Sequence, residues 1–236
     1  MKKMLKSSAF YCDVIQKKRE IINMKQEFFL IFLLFFVIIS CSNPQDPTKS
    51  NFKKAIQDYY TSKQACFNVR ADFPYQIAKS DYSYKKDSEI FNELVSIGFL
   101  TMTETEKECK AYFSTCPQKM EPAVTYSLTD SGKAASKEPE KGFLSLGGTD
   151  FCYGQYKVTE VTNFTEPANF MGQNVSEVDF NYKTENISTW AENSSILQSR
   201  FKKIARDIAS SSKPIDDKAV LILTNKGWIH ERLLNN

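Results

Sequence analysis

Hydrophobic and polar positions divide the chain into an apolar leader and a longer amphipathic part. Residues 28–39, FFLIFLLFFVII, form a run of 12 residues without a charge. A helix needs roughly 20 apolar residues to cross a hydrocarbon core, whereas the hydrophobic part of a signal peptide has roughly 7–15. The pattern therefore predicts a removable signal peptide over residues 1–40, which takes no part in the fold.

A small residue and a cysteine close the apolar run. The sequence Ile38-Ile39-Ser40-Cys41 resembles the lipobox of bacterial lipoproteins. The resemblance implies that the Cys41 thiol receives a diacylglyceryl group and that signal peptidase cuts between Ser40 and Cys41. By analogy with enterobacterial lipoproteins, Ser42 then permits export to the outer membrane, facing the periplasm. The alternative is a buried helix that ends in an incidental cysteine.

The segment before the apolar run is long for such a leader. Met24-Lys25 lies at the usual distance between a start codon and the hydrophobic part of such a leader. We therefore expect translation to start at Met24, so that residues 1–23 are an extension wrongly included in the sequence. A long positive n-region, also removed, is the alternative. Residues 42–50 carry two prolines and no apolar periodicity, which predicts a lipidated tether over residues 41–50.

Residues 51–136 combine a helical stripe with a helix–strand–loop–strand order. Phe52, Ile56 and Tyr59 share one helical face, and a second helix ends before Gly98. Two strands follow, joined by a polar segment. The order LVSIGFLTMTE … YSLTDSGK resembles the helix–strand–wing–strand part of winged-helix domains. This resemblance implies a winged-helix-like α+β domain over residues 51–136.

The remaining sequence predicts a second small domain. Residues 137–142 are polar and charged, which is typical of a linker. Over residues 143–236, alternating segments such as SEVDFNYKTENI predict strands, and apolar residues at helical spacing predict one helix over about Ser194 to Ser210. We therefore expect an α+β domain with a small antiparallel sheet and one packed helix.

Charge excludes one class of partner. The full chain has a formal net charge of +3. Residues 1–40 contain seven Lys and Arg against three Asp and Glu, so 24 basic and 25 acidic residues remain after the leader. A near-neutral chain lacks the basic face that neutralises phosphates, and we expect no nucleic-acid partner.

The cysteines fit an exported chain. Apart from Cys12 and Cys41, an even number remains: Cys66, Cys109, Cys116 and Cys152. Exported proteins form disulfides, and of the three pairings we favour Cys109–Cys116 and Cys66–Cys152. A zinc site is the rival interpretation, but the chain has no CxxC and a single histidine, His230. We expect no metal and no cofactor.

Candidate functional residues are few. His230 is the only imidazole available for catalysis and lies near the C-terminal end of the sequence. A carboxylate enzyme would have to use acids such as Glu160, Glu177 or Asp179, paired across a cleft. The aromatic residues Tyr59, Tyr60, Phe73 and Tyr75 form the first candidate interface if several are exposed together.

The sequence therefore favours a binding protein over an enzyme. We expect a non-catalytic, membrane-anchored lipoprotein that faces the periplasm and binds another protein, as an envelope assembly or accessory factor or as an immunity-type binder. Its lipid anchor at Cys41 would raise its effective concentration at the membrane. The alternatives are a hydrolase that acts on envelope polymers through carboxylates and a structural tether between membrane and wall.

Overall fold

The computed structural model describes residues 43–109, 120–139 and 147–234, in which strands outnumber helices. The helices of these residues are α1 (Lys49–Thr61), α2 (Tyr82–Ser96), α3 (Asp130–Ala135), α4 (Thr189–Asn193), α5 (Ser195–Arg200) and α6 (Lys202–Ala209). The strands are β1 (Gln64–Val69), β2 (Tyr75–Ala78), β3 (Leu100–Glu108), β4 (Met120–Leu128), β5 (Ser136–Lys137), β6 (Thr149–Phe164), β7 (Ala168–Phe170), β8 (Gln173–Glu185), β9 (Ile215–Thr224) and β10 (Gly227–His230). A 3-10 helix, Glu231–Leu233, follows β10.

The described strands form two antiparallel sheets. The larger has seven strands in the order β1-β6-β8-β9-β10, with β5 paired to β6 and β7 paired to β8. The smaller has three strands in the order β2-β4-β3. The alternation predicted for SEVDFNYKTENI is present in β8, where Val178, Phe180 and Tyr182 are buried. Every pairing in both sheets is antiparallel.

Local capping chemistry sets several element boundaries. The Thr48 side chain accepts a hydrogen bond from the Asn51 amide and starts α1, and Asp81 does the same for Ser83 in α2. Gly98 follows α2 with φ +81°, the left-handed conformation that a helix end commonly needs. Thr129 caps α3 by accepting from the Gly132 amide at 2.9 Å.

Strand β6 links two hydrophobic clusters. Its first half contributes Phe151 and Tyr153 to a cluster that α2, α5 and the smaller sheet also line. Its second half contributes Val158 and Val161 to another cluster, which lies under α1. Because one continuous strand contributes to both clusters, the two predicted halves of the chain belong to one compact unit.

The winged-helix interpretation is therefore wrong. The helix–strand–strand order itself is present as α2, β3 and β4, but α1 does not pack with α2 as an N-terminal helical domain requires. The apolar stripe of α1 lies on the larger sheet instead, where Phe52 contacts Phe164 and Trp228 with ring centroids 4.9 Å apart in both pairs. The segment after α1 is a strand, β1, that pairs with β6.

The expected second α+β domain is also corrected. Residues from Pro44 onward form one compact unit, and the larger sheet draws β1 from the first half of the chain. The single helix expected over about Ser194 to Ser210 is divided into α5 and α6 at Phe201, whose backbone φ of −117° and ψ of 84° is not helical. The fold is thus mostly antiparallel sheet with short helices.

Candidate functional site

A buried carboxylate lies at the centre of the polar network between α6 and β6. Asp207 on α6 is 0% exposed. Its Oδ2 accepts hydrogen bonds from the hydroxyls of Tyr153 at 2.7 Å and Tyr156 at 3.3 Å, and from Lys203 Nζ at 3.0 Å. Its Oδ1 lies 3.4 Å from Arg206 Nη2. We call these five residues the Asp207 network.

Burial changes the proton affinities of this network. Lys203 Nζ lies 5.4 Å and 5.1 Å from the ring centroids of Tyr153 and Tyr156 and also donates to both hydroxyls. Loss of water lowers the pKa of Lys203, and the attraction of Asp207 opposes that shift. Burial raises the pKa of both tyrosines well above its usual range, and Asp207 raises it further.

The Asp207 network is best explained as a structural element that holds α6 on β6. Its donors converge on one buried carboxylate, so the polar groups of α6 and β6 satisfy one another. Reasoning from the sequence missed this network, because Tyr153 and Tyr156 precede Asp207 by 54 and 51 positions in the chain. A signal was nevertheless present: Asp207 follows Lys203 at the i,i+4 spacing that favours ion pairs.

Strand β3 offers an open sheet edge. It lies at the end of the three-stranded sheet and pairs with β4 along nine residues. Among the described residues, no strand pairs with its outer side. Most of its side chains are exposed. A long exposed edge presents a row of backbone donors and acceptors that another chain can pair with.

The two faces of β3 differ in chemistry. Because side chains alternate along a strand, exposed Met102, Glu104, Glu106 and Glu108 share one face. Three threonines and Lys107 share the other. Glu104 forms an ion pair with Lys79 at 2.6 Å. The outer edge of the smaller sheet therefore combines one apolar side chain with a row of carboxylates.

The acids considered for an enzyme lie on the larger sheet. Glu177 and Asp179 on β8 both form ion pairs with Lys218 Nζ on β9 at 2.9 Å. Hydrogen bonds to the two carboxylates raise the pKa of Lys218. Glu160 lies on β6 opposite Asn181. Two of the three acids thus share one ammonium group instead of facing each other across a cleft.

The four aromatic residues expected at an interface lie in two different clusters. Tyr60 packs against the cluster under α1, and Tyr59, which is 9% exposed, contacts Tyr60 with ring centroids 5.5 Å apart. Phe73 and Tyr75 are partly buried against the cluster at α2. The structure does not bring these four side chains to one shared surface.

The structure places some of the predicted cysteines. Cys66 on β1 and Cys152 on β6 lie directly opposite and form the favoured disulfide. Cys109 is also disulfide-bonded, but Cys116 lies outside the described residues, and their pairing stays a prediction. Ser40 and Cys41 lie outside the described residues as well.

His230 is a buried core residue of β10. It is 5% exposed, its ring stacks on Tyr59 with centroids 4.0 Å apart, and its Nδ1 accepts from the Arg232 amide at 3.2 Å. Burial lowers the pKa of His230, and the neighbouring charges of Glu231, Arg232 and Asp217 modify that shift. These contacts suit a neutral imidazole.

We expect the free energy of unfolding to depend on pH through His230. The imidazole pKa is 6.5 in the unfolded chain and lower in the fold. The unfolded state therefore binds more protons just below pH 6.5, so stability rises with pH through that window and levels off above it. Urea midpoints measured from about pH 5 to about pH 8 should show this rise. The variant His230→Gln should lose that part of the slope, and an unchanged slope would contradict the assignment.

Two further properties concern only the described part of the chain. None of its helices is long and apolar enough to span a bilayer. It also holds no cluster of three or more His, Cys, Asp or Glu side chains arranged to bind a metal ion.

Comparisons with known proteins identify no family for this chain. No family model matches the chain, and searches of curated proteins and of solved structures also find no match. The class is therefore defined by the fold itself, a mostly antiparallel β protein with an open edge strand and a long-range disulfide.

Proposed function

We propose that this chain is a non-catalytic, lipid-anchored lipoprotein of a bacterial envelope that faces the periplasm and binds another protein through strand β3. The lipobox Ile38-Ile39-Ser40-Cys41 supports the anchor, and Ser42 supports placement in the outer membrane. The open edge of β3 is the observation that carries the binding role.

An edge strand binds an extended partner by adding one strand to the sheet. Backbone hydrogen bonds supply affinity in this mode, and alternate side chains supply specificity. Strand β3 is long enough to contribute nine residues, whereas β2 at the opposite edge has only four. The charges along β3 also discourage pairing with other copies of the same edge.

The charge of β3 specifies the chemistry of the partner. Glu104, Glu106 and Glu108 recur at every second position on one face. An added strand would bring its own alternate side chains beside them. We therefore infer a partner segment with lysines or arginines at every second position, next to an apolar residue that contacts Met102.

Charge reversal on this edge tests the proposed interface. We expect Glu106→Lys/Glu108→Lys to lower recovery of a crosslinked partner from cell envelopes by about tenfold or more, because like charges at an interface are costly. The matched control is Glu192→Lys on α4, which is also exposed and lies outside β3. Both proteins should unfold at the same temperature as the parent.

Three outcomes would contradict the proposal. If the edge variant and the Glu192→Lys control recover the same partner equally well, β3 is not the interface. If the purified protein alone releases wall or lipid fragments, a hydrolase replaces the binder. Labelled palmitate incorporated by a Cys41→Ser variant would contradict the anchor.

A further inference from the structure

The polypeptide enters the fold at the turn between β9 and β10. The indole of Trp228 donates to the Gln45 carbonyl at 2.9 Å. The Gln45 amide donates in turn to the Thr224 and Asn225 carbonyls at 3.4 Å. Pro44 packs closely over Gly227, where an added Cβ would lie 2.8 Å from the Pro44 carbonyl oxygen. These contacts fix Pro44 and Gln45 beside the turn.

Covalent geometry then limits the distance from this turn to the lipid. Three peptide units join Cys41 to Pro44, and a fully extended chain spans at most about 3.6 Å per residue. The Cα of Cys41 therefore lies within about 11 Å of the Cα of Pro44. If Cys41 carries the lipid, as proposed above, this end of the larger sheet lies at the bilayer surface.

The hairpin between β7 and β8 extends from the same end of the sheet. Val175 on β8 pairs with Ile222 on β9. Because the strands are antiparallel, Gln173, two residues before Val175, is level with Thr224, two residues after Ile222. Strand β8 begins at Gln173, and the turn Met171-Gly172 lies beyond it. Because paired strands are about 4.8 Å apart, the tip of this hairpin is a close neighbour of the β9–β10 turn.

The hairpin tip has an apolar surface. Phe170 is 61% exposed and Met171 is 89% exposed. Residues 167–176 contain no charged side chain. At the adjacent turn, exposed Lys226 supplies a positive charge. An apolar tip beside a basic residue is the composition that binds a membrane interface.

The backbone of the tip gives independent support. Met171 has φ 51° and Gly172 has φ +83°. Such two-residue turns prefer Asn or Asp before Gly, because those side chains tolerate positive φ. A methionine at this position is locally unfavourable and keeps a large apolar side chain in the solvent. Strained residues of this kind point to a function.

We propose that Phe170 and Met171 insert into the lipid bilayer beside the diacylglyceryl group of Cys41, with Lys226 at anionic headgroups. This inference rests on the proposed lipid anchor and adds a second membrane contact to it. A lipid anchor at one residue allows the protein to rotate over the surface, whereas a second contact restricts its orientation. The restricted orientation would present the rest of the protein to its partner in a defined way.

Depth-dependent fluorescence tests the insertion. The lipidated protein carries an environment-sensitive dye at Met171→Cys and is reconstituted into phosphatidylethanolamine–phosphatidylglycerol vesicles with nitroxide-labelled acyl chains. We expect at least twofold stronger quenching than for the same dye at Tyr82→Cys, an exposed site on α2. A dye at Asn225→Cys, in the neighbouring turn, should lose about half of its quenching when Phe170→Asp and Met171→Asp are added.

The outcomes separate this inference from the proposed anchor. If the protein takes up labelled palmitate but the dye at residue 171 is quenched no more than the control, insertion is overturned and the anchor stands. If palmitate is not taken up, the anchor is overturned together with the inference. Crosslinking of residue 171 to a protein in place of quenching by lipid would overturn the inference and assign the tip to a protein partner.

Discussion

Asp207→Ala is expected to lower the free energy of unfolding by about 3 kcal/mol, because it removes the acceptor at the centre of a buried polar network. The hydroxyls of Tyr153 and Tyr156 and the Lys203 ammonium all donate to Oδ2. Without that carboxylate, the buried Tyr153 hydroxyl loses its hydrogen-bond acceptor. Lys203 is 40% exposed in its side chain and turns toward water, which limits the loss.

Two variants separate the network from an ordinary charge effect. Asp58→Ala removes an exposed carboxylate that pairs with Lys54 at 2.8 Å, and it should cost less than about 0.5 kcal/mol. Lys203→Met should cost about 1 kcal/mol, because Asp207 keeps its other donors. Urea unfolding of all three proteins measures these differences. If Asp207→Ala costs no more than Asp58→Ala, the network does not stabilise the fold.

Local structure was largely predictable from the sequence. The boundary of α2 at Gly98, the strands β3 and β4, and the start of α3 at Thr129 follow from side-chain periodicity and capping chemistry. Each of these features depends on residues close together in the chain. The alternation of apolar and polar residues in β8 was equally predictable, because one face of an antiparallel strand is buried and the other is not.

The partners of these elements were not predictable in the same way. The stripe Phe52-Ile56-Tyr59 indicates that α1 buries one face, but periodicity does not predict which residues pack against that face. In the fold that face meets residues more than 100 positions away, among them Val158 and Trp228. The winged-helix interpretation failed at this step, because it placed α1 against its nearest neighbours in sequence.

The candidate sites show the same division. The β3 strand was predicted, but its position at the edge is a property of sheet order, which the pairing of β4 with both β2 and β3 determines. Pro167 and Gly172 indicate a turn around the apolar tip at Phe170 and Met171, but they do not indicate what lies beside it. Its relation to the chain entry at Pro44 depends on the register of β8 with β9, a long-range pairing.

The double variant Cys66→Ser/Cys152→Ser is expected to lose about 4–5 kcal/mol of unfolding free energy. The disulfide joins residues separated by 86 positions, and closing a loop of that length restricts the unfolded chain by about this amount in the chain-entropy model. It also holds β1, an edge strand of the larger sheet, on β6. Urea unfolding under oxidising conditions measures the loss.

The short loop between the other two cysteines provides the control. Cys109→Ser/Cys116→Ser should cost only about 2–3 kcal/mol if the two residues are paired, since loop entropy rises with loop length. A larger loss from this control than from the Cys66/Cys152 variant would contradict loop closure as the cause.

Because a domain is typically stable by only about 5–15 kcal/mol, removal of the long-range disulfide should leave the protein marginally folded. Folding in a reducing compartment should then yield little native protein, which ties the stability of this fold to an oxidising compartment such as the periplasm.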